Sequence, residues 1–368
     1  MDFRYSPEHD AFRASLGGFL REAASQMRMR EAAAADGHDR RVWQRLCREM
    51  QPLGLHVPAE CGGDGGTLIE TAIVFSEFGR ALTPVPLATT TFAIEAVLRM
   101  GDDEQRKRLL AGLLSGEQIG ALAAAGPNET DPSAATVRAS RRADGTVLTG
   151  ECVPVLHGHV ADLFVVPAVA DGPDSTVVFH VVAAGAPGVT VVRLPSFDVT
   201  RPVARLQLAQ APADPLTAGS PDEAERVLDV ARVLLAAEML GGAEACLELT
   251  VEYARSRKQF GRPIGSFQAV KHACAEMMIE IDATRAAVMF AAMSAANGDE
   301  LHIAAPLVKA QAADTYVLCA GTAIQVHGGI AFTWEHDLHL YFRRAKTTEA
   351  LFGSSARNRA LLADRAGL

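Results

Sequence analysis

"YARSRKQFGRPIGSFQAVKH", residues 253–272, crowds Arg and Lys side chains around "QFG" and "PIGSFQ", just ahead of a long apolar-patterned run. The whole chain carries 44 acidic against 35 basic residues, a formal charge of -9. Positive charge is therefore a local feature, and the surface as a whole does not attract nucleic acid or an anionic membrane. A local cluster of guanidinium and ammonium groups suits an anion such as a cofactor diphosphate, which arginine can grip through two parallel hydrogen bonds. A second segment of interest is "QVHGGIAFTWEHDLHLYFRRAK", residues 325–346. Other chemistries lack their signatures: there is no P-loop, no G-x-G-x-x-G, no G-x-S-x-G and no H-E-x-x-H. His336 and His339 stand three apart, but no third ligand accompanies them, so no metal site is expected.

Three compositional zones must position these segments. Residues 1–118 read as a helical domain: "VWQRLCREMQPLGL" spaces Val42, Leu46 and Met50 as a helix does and breaks at Pro52 and Gly54. Residues 119–218 carry short Val-, Leu- and Thr-rich runs such as "LFVVPAV" and "VTVVRL" between turn clusters, the pattern of a small β-barrel or sandwich. Residues 219–368 return to long alanine-rich helices, as in a four-helix bundle. In "SFQAVKHACAEMMIEIDATRAAVMFAAM", Val270, Cys274, Met277, Met278, Ile281 and Val288 are expected on one buried stripe, with Ser266 capping the helix start. The fold class is α+β and multi-domain. Cys47, Cys61, Cys152, Cys246, Cys274 and Cys319 are scattered and are expected to be lone buried thiols, in keeping with a reducing cytoplasm. The charged start "MDFRYSPEHDAFR" does not read as a signal peptide, and no apolar run has the length of a membrane span.

R-x-Q-F-G-x-P-I-x-x-F-Q from Arg257 to Gln268, followed by Q-x-x-G-G-x-x-F-x-x-E from Gln325 to Glu335, resembles the acyl-CoA dehydrogenase family. "LGLHVPAECGGDGG", "LLSGEQIGALA" and the helix–β–helix order are similar to that family too, so the resemblance spans essentially the whole chain. It implies a flavoenzyme fold in which a carboxylate takes a proton from Cα of an acyl-CoA thioester and a hydride passes from Cβ to FAD. It also implies an FAD shared across a subunit interface. Arg257 would pair with phosphate and Phe260 would pack on the cofactor. Gln268 and Gln325 would hydrogen-bond, and Gly328 and Gly329 would let backbone approach closely. Glu335 and Arg344 would form structural pairs around the loop.

The departures from the family are as informative. In many members the catalytic glutamate follows an R-x-A-K stretch; here "RRAKTTEALFGSS" puts Phe352 at that place. The alternative position, on the helix before the basic motif, holds Ala231. Glu349 and Glu238 are the carboxylates near enough in sequence to serve as a displaced base, and Arg232 stands where an arginine could orient the turn. The segments that cradle the flavin ring in the family are replaced by "LAAAGPNETD" at 122–131 and "VPVLHG" at 153–158, with Pro154 and Leu156 at the usual Trp and Thr positions and Ala356 at a usual Gln. By this resemblance, contacts to the chain's own flavin would be lost, while those lent to a neighbour's flavin would be kept. The resemblance then implies a non-catalytic subunit of an α2β2 acyl-CoA dehydrogenase, acting on a fatty or steroid acyl-CoA with a base-bearing partner. A self-sufficient homo-oligomer with a displaced base, and an acyl-CoA-binding or oxygenase-like relative, are the alternatives.

Overall fold

The computed structural model describes residues 5–23, 31, 37–124, 136–171, 177–297 and 300–368. The first helices are α1 (Pro7–Ala23), α2 (Arg40–Glu49), α3 (Leu68–Ala81), α4 (Leu87–Met100) and α5 (Asp103–Leu114). Asp39 starts α2 by accepting from the Arg41 and Val42 amides, both at 3.0 Å. Val42, Trp43, Leu46 and Cys47 then form its buried face, while Met50 falls outside it as the C-cap. A reciprocal capping box between Asp102 and Gln105 starts α5.

Seven strands follow among the described residues: β1 (Gly120–Leu122), β2 (Arg138–Arg142), β3 (Gly145–Leu156), β4 (Leu163–Ala170), β5 (Val177–Ala183), β6 (Val189–Leu194) and β7 (Val203–Pro215). The pairings β4–β2, β2–β3, β3–β7, β7–β5 and β5–β4 return to their starting strand, so the sheet closes. β1 and β6 add to it through β4 and β7. The structure is thus a barrel rather than an open sandwich, filled by Leu148, Val155, Phe164, Val166 and Leu206.

The remaining chain forms α6 (Pro221–Ser256), a hairpin of β8 (Lys258–Gln259) and β9 (Arg262–Pro263), then α7 (Gln268–Asn297), α8 (Leu301–His327), α9 (Leu338–Ala350) and α10 (Ser355–Ala366). A fifth helix, α10, therefore joins the four expected in the bundle. Among the described residues no helix is long and apolar enough to cross a membrane.

By contacts the chain forms two compact units, one of Met1–Arg30, Ala72–Thr83 and Arg232–Leu368, the other of Glu31–Thr71 and Pro84–Ala231. Inside the second unit, buried His56 bridges the Thr71 hydroxyl at 3.0 Å and the Glu95 carboxylate at 3.2 Å, and Arg99 donates to Glu95 at 2.9 Å. Inside the first unit, α3 and α6 cross at main-chain distance. A Cβ on Gly79 would lie 1.9 Å from the Glu238 carbonyl oxygen, and one on Gly241 would lie 1.8 Å from that of Ser76. The Glu238 carboxylate, on α6, accepts from Arg344 of α9 at 2.8 Å with both side chains 5% exposed. The Tyr341 hydroxyl of α9 donates to the Arg80 carbonyl of α3 at 2.6 Å.

Three expectations need correcting here. The stripe on α7 is only partly buried: Met277, Ile281 and Val288 are inside, but Met278 is 49% exposed and its neighbour Ile279 66%. Ser266 does not cap α7; its hydroxyl donates to the Pro263 carbonyl at 2.7 Å inside a 3₁₀ turn. The six cysteines are free, yet Cys61 and Cys274 are partly exposed.

Candidate functional site

The basic motif folds into a tight arm. α6 stops at Ser256, and β8 and β9 pair Lys258 with Pro263 and Gln259 with Arg262. The two-residue loop between them is Phe260 (φ 53) and Gly261 (φ 78), both left-handed as a type I′ turn requires. Glycine adopts this freely, but phenylalanine is held there at a cost of about 1 kcal/mol. The result puts the Phe260 ring at the tip, 91% exposed. The Phe260 and Phe267 rings stand nearly perpendicular with centroids 6.1 Å apart, and the Arg262 guanidinium lies 4.2 Å from the centroid of the Phe267 ring.

The glycine motif lies at the same end of the unit. α7 and α8 are antiparallel neighbours, tied where the Thr284 and Thr315 hydroxyls meet at 2.8 Å, so the end of α8 returns to the start of α7. α8 ends at His327, and Gly328 leaves it with φ 68 and ψ -145, a conformation open essentially only to glycine. A Cβ on Gly328 or Gly329 would meet nothing within 4 Å, so the space above the turn is open. The His327 ring stacks on Tyr253 of α6 at 4.2 Å, and burial holds its pKa below the usual histidine value. A neutral imidazole on a phenol ring thus joins the two motifs. Ile330, Phe332 and Trp334 continue from the turn, 43%, 73% and 61% exposed.

The side chains of Arg255, Arg257, Lys258, Lys271, Gln268 and Gln325 are exposed. None of them has a hydrogen bond or ion pair with any described residue. In a chain of charge -9 such a group of unpaired cations, beside the N-terminus of α7, leaves positive potential for an anion. The glycine turn, the stacking ring and the unpaired cations fit the diphosphate and aromatic parts of a dinucleotide.

Around the place expected for a base the arrangement is different. Phe352 is 8% exposed and left-handed (φ 55), followed by Gly353 (φ 91). Ala231 is fully buried in α6. Glu238 is taken up by Arg344, so Arg344 pairs with a helix carboxylate and not with Glu335, which is exposed and has no partner among the described residues. The Glu349 carboxylate pairs with Lys346. Arg232 donates from Nε to the Phe352 carbonyl at 3.4 Å.

Sequence reasoning missed Lys309. This residue of α8 is 0% exposed and donates to the carbonyls of Glu349 at 3.1 Å and Gly353 at 3.2 Å. Burial, aided by the Arg232 charge and opposed by Glu349 and Asp314, brings its pKa down to about 7. The available signal was a lysine in the apolar run "AAPLVKAQAA". In the barrel, Pro154 and Leu156 fall at the end of β3, where its register with β7 shifts between Cys152 and Val155. Residues 125–131 of the replaced "LAAAGPNETD" segment lie outside the described residues. Ala356 is exposed in the first turn of α10.

Residues 6–117 match the N-terminal domain of acyl-CoA dehydrogenases, and residues 222–367 match the C-terminal domain. The acyl-CoA dehydrogenase IpdE2 of Mycobacterium tuberculosis is 37% identical over 352 residues, covering 94% of this chain and 93% of its own. Among solved structures, the ChsE4-ChsE5 complex from Mycobacterium tuberculosis superposes with a TM-score of 0.91 at 30% identity, over 100% of this chain and 99% of that one. A variant of the Tcur3481-Tcur3483 steroid ACAD gives 0.90 at 30% identity over 98% of both chains.

Proposed function

The chain belongs to the acyl-CoA dehydrogenase family, and we propose that it serves as the non-catalytic subunit of a heteromeric enzyme, completing the FAD site of a base-bearing partner. One contrast carries the reading: the cofactor-facing end of the helical unit keeps its unpaired cations and glycine turn, while Phe352 and Ala231 stand where the family has its glutamate. A bound flavin supplies the hydride acceptor for α,β-dehydrogenation of an acyl-CoA thioester. This chain's residues do the holding. Arg257 pairs with a diphosphate oxygen, Phe260 packs on the cofactor, and Gln268 and Gln325 hydrogen-bond to it across the interface. Gly328 and Gly329 keep side chains out of the way.

The likeness to a protein solved as a complex and to a steroid ACAD supports an α2β2 assembly and a steroid-derived or other bulky thioester. The displaced-base reading is disfavoured because Glu238 and Glu349, the carboxylates it would use, are each engaged by a cation. The test is to purify this chain alone and with a co-expressed family member that carries the glutamate. The expected result is a colourless chain alone and one FAD per heterodimer together, with Arg257→Ala cutting flavin content several-fold. A yellow, active homo-oligomer overturns the proposal, as does full flavin occupancy in a folded Arg257→Ala complex.

A further inference from the structure

The turn at Phe352 is held more tightly than a segment without chemistry needs. Phe352 lies in the left-handed region, which a phenylalanine leaves unless its surroundings over-determine it. Three buried side chains from three helices supply that constraint. Asn358 of α10 donates to the carbonyls of Phe352 at 3.2 Å, Gly353 at 2.8 Å and Ser354 at 3.0 Å. Lys309 of α8 donates to those of Glu349 at 3.1 Å and Gly353 at 3.2 Å. Arg232 of α6 adds its contact to the Phe352 oxygen at 3.4 Å. Every one of these bonds ends on main chain, so none depends on which side chain position 352 carries. The frame is generic, and the ring is the variable part. Phe352 as a whole is 8% exposed, an apolar residue packed into the interior rather than left over on the surface.

We infer that Phe352 is a plug: its ring fills the space that the acyl portion of a CoA thioester would occupy in this chain's own site, and Lys309, Asn358 and Arg232 hold it there. The inference deepens the proposed function, resting on its reading that Phe352 stands where the family has the glutamate that takes the proton from the acyl group. Each copy of this chain then contributes no thioester site, and the assembly binds one thioester per partner subunit.

The experiment counts sites in the purified flavin-containing assembly by equilibrium binding of a 3-thia-acyl-CoA, which has no β-carbon hydrogen to lose. Flavin and subunit content are measured on the same sample. Wild type is expected to bind one ligand per heterodimer, and Phe352→Gly, whose glycine suits the left-handed backbone, is expected to bind two. Phe352→Tyr, which keeps the ring, stays at one. A wild-type count of two per heterodimer overturns the plug, and so does a folded Phe352→Gly assembly that still binds one. Should Phe352→Gly not fold, Phe352→Asn replaces it, with the same two outcomes read. The flavin count separates the two ideas. Two flavins per heterodimer refute the subunit reading, whereas a fixed thioester count on opening position 352 refutes only the plug.

Discussion

Replacing Lys309 by methionine tests whether the fold buries an ionisable amine. The ammonium of an exposed lysine titrates near 10.5, and burial of Lys309, with Arg232 adding repulsion, lowers this to about 7 against the pull of Glu349 and Asp314. Each unit of such a shift corresponds to about 1.4 kcal/mol of differential stability. At pH 6 the folded and unfolded chains both carry the proton, so the folded state bears the whole penalty, which amounts to about 5 kcal/mol for the full interval. From about pH 7 upward the folded chain releases the proton while the unfolded chain keeps it until the ordinary value is reached, so stability rises with pH. Methionine has a similar length and no proton to release. Relative to Lys309→Met, wild type should gain on the order of 2–3 kcal/mol between pH 7 and pH 9. It should also keep about 1 kcal/mol for each carbonyl hydrogen bond that methionine cannot make. Paired urea denaturation curves at pH 6, 7, 8 and 9 measure the difference, and the other titrating groups cancel in it. A difference that stays constant across the series refutes the reasoning, because a lysine that remained charged in the fold would give that result.

The buried Glu238–Arg344 pair should be costly to break from one side: Glu238→Gln or Arg344→Met should each lose about 3–5 kcal/mol in denaturant unfolding, and the double replacement by apolar residues should recover most of it. Phe260→Asn should leave stability unchanged or raise it by up to about 1 kcal/mol, since asparagine tolerates the left-handed turn. The same change should reduce flavin retention in the assembly, read from melting temperature and absorbance on one sample. Burial pushes the Glu95 carboxyl up, but His56 and Arg99 outweigh it and bring its pKa down to about 2. Its contribution is therefore present above about pH 4.5 and lost as pH falls toward 2, so Glu95→Gln should flatten the acid limb of the stability profile over that interval.

What the sequence disclosed depended on how local the cause was. The helix–strand–helix order was legible because periodicity and turn residues act within a few positions, and barrel closure was not, because it depends on β4 pairing with both β2 and β5. The basic segment could be recognised, but the type I′ hairpin at Phe260 could not, since a phenylalanine is an unusual occupant of that conformation. The α7 stripe was misjudged at Met278 because a hydrophobic pattern marks what tends to be covered, whether by the same chain or by another. The pairing of Arg344 with Glu238 crosses 106 positions and leaves no pattern to read.

The crossing of α3 and α6 has a mechanical consequence when taken together with α9. Gly79 and Gly241 fix α3 to α6, Glu238 and Arg344 fix α6 to α9, and Tyr341 fixes α9 back to Arg80 of α3. All three contacts fall within about one turn of each helix, at 76–80, 238–241 and 341–344, so they pin the three helices together at one level. α9 runs directly into the Phe352 turn. That turn therefore begins a short way beyond a pinned level, and its position should drift little with temperature or with the exchange of the side chain at 352.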